Sequence, residues 1–150
     1  MRHAGIAILT VLGLIGCGAY HVEITRTDAA AAPTFQFQYR KAADEPVLLY
    51  SVTLRETATG ELVWQVATFR QSFTEDDRGS RGNRDFNGRE RQKARDSALV
   101  LRSIRLGIVP EGFMQLFPES ATPPTLQSKV KYTLFVDGGD GNGSLSFELP

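Results

Sequence analysis

The feature that most limits what this chain can fold into is a period of two in its apolar residues, repeated in short runs along the sequence. Tyr20, Val22 and Ile24 alternate with His21, Glu23 and Thr25, and Phe35, Phe37 and Tyr39 alternate with Gln36, Gln38 and Arg40. Side chains of a pleated strand point to opposite faces in turn, so each run predicts a strand with one dry face and one wet one. Asp44, Glu45 and Pro46 break the second run. Leu48, Tyr50, Val52 and Leu54 then alternate with Leu49, Ser51, Thr53 and Arg55, and after Thr57-Ala58-Thr59-Gly60 the pattern resumes at Leu62, Trp64 and Val66. This predicts a β-hairpin whose connection lets Gly60 take a conformation that other residues avoid. Ile104, Leu106 and Ile108 lead to Pro110. Tyr132, Leu134 and Val136 form a further strand, and Leu145, Phe147 and Leu149 form the last. About seven short strands without a convincing amphipathic helix predict an all-β chain, a sandwich or barrel. The competing helical stretch, residues 89–101, has a thin apolar stripe of Ala94, Ala98 and Leu101 and is expected to supply a turn or two at most.

Leu126 stands six residues before Tyr132, which opens an alternating run. This pair resembles the tyrosine corner of fibronectin type III and other immunoglobulin-like domains. The resemblance implies an antiparallel immunoglobulin-like or fibronectin type III-like β-sandwich, with Leu126 and Tyr132 crossing between the sheets and the Tyr132 hydroxyl bonding back to the preceding loop. Gln127-Ser128-Lys129-Val130-Lys131 replaces the Pro and Gly usual there, and Trp64 lies in a hairpin strand rather than at that family's core Trp position. Sandwiches of this kind host many unrelated tasks, so the resemblance implies no activity.

Met1, Arg2 and His3 precede an uncharged run over residues 4–16. That is the pattern of a signal peptide, and it falls short of the roughly 20 apolar residues a transmembrane helix needs. The run ends in Leu14-Ile15-Gly16-Cys17, which resembles the bacterial lipobox. The resemblance implies a cleaved signal peptide over residues 1–16 and a covalent lipid on Cys17. The rest is then a lipidated N-terminus with a first strand or tether (17–33) and a β-sandwich domain (34–150). Each buried CH₂ contributes about 0.8 kcal/mol, so a diacyl or triacyl anchor is effectively permanent. Gly18 occupies the place where inner-membrane lipoproteins of enteric-type bacteria usually carry Asp, which implies the outer membrane, facing the periplasm.

Residues 74–97 differ from everything around them. Glu75, Asp76 and Asp77 open the stretch, and from 78 to 95 the basic Arg78, Arg81, Arg84, Arg89, Arg91, Lys93 and Arg95 stand against only Asp85 and Glu90, with Phe86 the one large apolar residue. Such a segment cannot bury enough surface to offset its ordering entropy, and a long charged loop is expected. Two readings stand: a solvated connection, or a basic arm for anionic lipid, peptidoglycan or an acidic envelope protein. Phe113, Met114, Leu116 and Phe117, between Pro110 and Pro118, are expected to form a connection, either packed on the core or exposed to a partner.

Other chemistry has little support. With 17 basic and 17 acidic residues the chain lacks the basic excess of a nucleic-acid binder. One Cys and two His exclude a disulfide scaffold and a zinc site needing several such ligands. His21 is the only His after Cys17, which leaves a Ser-His-Asp site little room. Residues 137–143 (Asp-Gly-Gly-Asp-Gly-Asn-Gly) nearly fit a calcium-binding nonapeptide repeat over 138–146, but Gly143 stands where the ligand Asp belongs and the repeat occurs once. A hairpin turn, with glycines supplying positive φ, is the expected reading. The sequence therefore predicts a lipid-anchored envelope module that binds or assembles without a catalytic site, metal or further cofactor. A glycan-acting hydrolase with paired carboxylates and a structural spacer are the alternatives.

Overall fold

A computed structural model describes residues 20–28, 31–68, 96–120 and 122–150. Among them the regular elements are strands: β1 (Tyr20–Arg26), β2 (Thr34–Tyr39), β3 (Leu48–Glu56), β4 (Leu62–Ala67), β5 (Leu99–Val100), β6 (Ser103–Arg105), β7 (Met114–Phe117), β8 (Lys131–Gly138) and β9 (Gly141–Glu148). The all-β expectation holds. Hydrogen bonds connect them in the order β6-β2-β1-β9-β8-β3-β4-β7, with β5 beside β3.

The sheet curls on itself, and β1 is where it turns. Tyr20 and His21 pair in parallel with Gly141 and Asn142 of β9, while Val22 to Arg26 pair antiparallel with β2. On a flat sheet two strand spacings would hold β2 and β9 roughly 10 Å apart. The Phe35 and Phe147 rings lie 5.2 Å apart. The curl thus brings the apolar faces of both halves together: Val22, Phe35, Phe37 and Ile104 share one core with Val52, Leu54, Trp64, Val66, Leu134 and Val136.

The predicted faces are right for most strands and shift where the backbone departs from a regular pleat. Tyr50 is an extra residue in β3: Leu49 pairs with Gly138 and Ser51 with Asp137. A bulge of this kind reverses the alternation. Leu49 is therefore fully buried ahead of it and Val52 and Leu54 after it, and Leu48 and Tyr50 do not share their face. The β3–β4 connection is as expected: Glu56 N–H donates to the Glu61 carbonyl (2.9 Å), closing residues 57–60, and Gly60 has φ +73°. β6 is shorter than the Ile104–Leu106–Ile108 pattern suggests, because Gly107 (φ +80°) turns the chain and leaves Ile108 56% exposed.

One strand was not foreseen, and another stands where a helical turn was the competing reading. Residues 110–118 contain β7, an edge strand on β4, instead of a plain connection. Leu99 and Val100 are extended against β3, so the helical alternative fails there; most of its span lies outside the described residues. β1 is an integral strand rather than a tether, and Thr27 N–H donates to the Thr34 carbonyl where it returns into β2 (2.9 Å).

The hydrogen bond expected of the Tyr132 hydroxyl to the preceding loop is present. Tyr132 is buried and its hydroxyl accepts from Gln127 N–H at 2.9 Å, with Leu126 buried beside the core. The glycines of the β8–β9 hairpin serve a different purpose from the one expected. Gly138, Gly141 and Gly143 lack positive φ. A Cβ on Gly141 would overlap the Tyr20 carbonyl oxygen, and one on Gly143 that of Val22. They let the β1 backbone approach β9, where any side chain would wedge the halves apart.

Candidate interaction surface

Cys17, where a lipid is expected, and the basic set Arg78, Arg81, Arg84, Arg89, Arg91, Lys93 and Arg95 lie outside the described residues. The attachment points on either side of the basic set are described. Thr68 N–H donates to the Tyr50 carbonyl (2.9 Å), and the Thr68 and Ser97 hydroxyls are hydrogen-bonded at 2.7 Å. Both attachments sit at the end of the sheet where β3 begins. β1 starts at that same end, through the lateral row Tyr20, Gly141, Gly138, Leu49 and Leu99 formed by neighbouring strands.

β7 divides the predicted apolar cluster in two. Phe113 is half-buried against the core, whereas Met114 and Phe117 are exposed. Gln115 pins the strand from inside: the fully buried Trp64 donates through Nε1 to Gln115 Oε1 (3.0 Å), and Gln115 Nε2 donates to the carbonyls of Pro118 (2.8 Å) and Ser120 (2.9 Å). A buried indole N–H needs an acceptor, and this edge strand supplies it.

On the outer face, strand register places Ser144, Phe135, Thr53, Gln65 and Phe117 in one row. Phe135 and Phe117 are 40% and 39% exposed, and three strand spacings set them roughly 14 Å apart. Met114 extends the apolar edge next to Phe117, and Thr53 and Ser51 between the rims are buried. Phe135 is the residue the sequence reading missed. Its signal was available: a large aromatic on the solvent phase of the Tyr132–Leu134–Val136 alternation.

A polar groove of about 390 Å³ lies where β6 leaves β2, lined by Gln36, Gln38, Asp44, Glu45, Arg102 and Ser103 among others; its acidic groups are sequence neighbours. Asp137, on the outer face of β8, is held above the usual carboxylate range by burial, opposed by a hydrogen bond from the Ser51 hydroxyl (3.3 Å). Among the described residues, no three His, Cys, Asp or Glu side chains group closely enough to hold a metal ion. No helix among them is long and apolar enough to cross a membrane. No protein family, curated protein or solved structure matches the chain.

Proposed function

We propose that this chain is a bacterial envelope lipoprotein, acylated on Cys17 and held at the outer membrane facing the periplasm, that works as a non-catalytic binding or assembly module. The observation that carries the binding part is the outer-face row, where Phe135 and Phe117 present exposed apolar surface on either side of Thr53 and Gln65. Aromatic side chains at such positions provide contact area at low entropic cost, and clustered exposure of this kind marks interaction surfaces. The domain is read as an immunoglobulin-like sandwich. Support comes from the order β6-β2-β1 followed by β9-β8-β3-β4, from the passage of β1 between the halves, and from the Tyr132 hydroxyl bond.

The basic residues over 78–95 are the second contact region in this reading, for anionic lipid, peptidoglycan or an acidic envelope protein. Their segment leaves and rejoins the sheet at the end where β1 begins, which favours contact close to the anchor.

Two measurements test the reading. Cys17→Ser should leave the precursor unacylated and unprocessed; a variant still cut to the mature size, or a wild-type protein whose intact mass shows no acyl chains, would refute the anchor. A photo-crosslinking residue at Phe117 or Phe135 should give a discrete adduct in intact cells while one at Ile108 does not, and identical patterns at all three would remove the outer face from consideration.

A further inference from the structure

The distance between the anchor and the first strand fixes how the domain stands on the membrane. Tyr20 is already paired in the sheet, with its N–H donating to the Asp140 carbonyl at 2.7 Å. Only three residue steps separate it from Cys17. Fully extended, they span at most about 11 Å. The polar layer of one leaflet is itself roughly 5–8 Å deep. An acyl-bearing Cys17 therefore holds the start of β1 within a few ångströms of the headgroup layer.

The end of the sheet held there has a suitable surface. The lateral row from Tyr20 to Leu99 forms its rim, and Val100 pairs with Leu48 beside it. Tyr20, Leu99 and Val100 are 44%, 39% and 54% exposed. The Tyr20 ring rests on Tyr39 at 5.2 Å, so an amphipathic ring is fixed at this edge, the type of side chain that favours a membrane–water interface. Charges of both signs flank the rim: Arg40, Lys41, Asp44 and Glu45 in the 40–47 connection and Asp140 in the turn beside Tyr20. At the opposite end Arg26, Arg105, Glu56, Lys131 and Glu148 close the strands, and Ile108 sits beside Arg105, its N–H donating to the Arg105 carbonyl (3.0 Å).

We infer that the rim formed by Tyr20, Leu99 and Val100 is seated in the headgroup layer of the membrane that holds Cys17, so that the strands stand end-on and the Phe135–Phe117 face looks sideways along the surface. This rests on acylation of Cys17. The rim's own share of the contact is apolar, carried by the exposed Tyr20, Leu99 and Val100 side chains.

The experiment uses the lipidated mature protein. Cys17 is the only cysteine, so once acylated it leaves an introduced thiol as the sole site for a nitroxide label. Val100→Cys and Ile108→Cys are labelled and reconstituted into vesicles of phosphatidylethanolamine and phosphatidylglycerol. Collision with oxygen, which partitions into lipid, is compared with collision with a water-soluble nickel chelate. The oxygen-to-nickel ratio at position 100 should exceed that at 108 several-fold and survive high salt. Equal, water-like ratios on protein whose intact mass shows the acyl chains would overturn the inference and leave the anchor standing. An intact mass without acyl chains would overturn the anchor reading itself. Should Val100→Cys fold poorly by circular dichroism, Leu99→Cys carries the same comparison at the neighbouring rim position.

Discussion

Gly143→Ala is the sharpest probe of how the two halves are joined. The added Cβ would overlap the Val22 carbonyl oxygen, with the Val22 carbonyl carbon at 3.0 Å and its Cβ at 3.2 Å. All of these belong to a paired strand or sit next to its backbone, so no rotamer change clears them. β1 must draw back from β9 by about 1 Å to restore ordinary carbon–oxygen contact. Overpacking of this kind costs about 1–3 kcal/mol. Loss of the Tyr20 N–H bond to Asp140 and of the short parallel ladder adds about 1 kcal/mol more. The expected destabilisation is therefore about 3 kcal/mol, or roughly 10 °C in the thermal midpoint for a domain of this size. Gly60→Ala is the control. Its Cβ would meet nothing within 4 Å, and only the positive φ (+73°) is penalised, at about 1 kcal/mol. Urea unfolding of both variants measures the difference directly. If Gly143→Ala costs no more than Gly60→Ala, close backbone approach is not why glycine stands at 143, and the account of the β1–β9 seam fails.

Other consequences follow from single contacts. Tyr132→Phe removes the acceptor of Gln127 N–H and should cost about 1 kcal/mol in urea unfolding; a neutral result would count against the corner. Gln115→Ala leaves the Trp64 indole N–H buried without its acceptor and should cost about 2 kcal/mol, with a Trp64→Phe, Gln115→Ala cycle recovering a coupling that two independent sites would not show. Asp137 has its carboxyl pKa raised in the folded state, so this group weakens stability at neutral pH, and the penalty is relieved as pH falls through the folded pKa toward the unfolded value. Asp137→Asn should accordingly raise the urea midpoint at pH 7 and remove that rise in stability on acidification; an unchanged pH slope would show that the group titrates as it does unfolded.

How far the sequence could be read differs from strand to strand. The alternations at Phe35–Phe37–Tyr39 and Tyr132–Leu134–Val136 named their buried faces correctly, because each strand is regular over its length. The β3 pattern was misleading at its start, since Leu48 and Leu49 are equally apolar and only the bulge at Tyr50 decides which of them faces inward. β7 was hidden because Phe113, Met114, Leu116 and Phe117 show no period of two. β7 has exposed residues at both ends and half-buried Gln115 and Leu116 between them, so it has none to show. On the candidate surface Met114 and Phe117 were legible as apolar residues between prolines, but Phe135 became part of it only when register set it level with Phe117.

Local chemistry, then, sufficed for whatever depends on neighbours along the chain: the all-β class, the Gly60 turn, the Leu126–Tyr132 spacing, and the expectation of a lipid on Cys17. Pairing between distant segments decided the rest. Register is a relation between strands, and the sequence of either one alone leaves it open. The tertiary structure thus determined that the hairpin glycines admit the β1 backbone, that Gln115 closes the hydrogen bond of Trp64, and that Tyr20 begins a strand at the same rim as Leu99 and Val100.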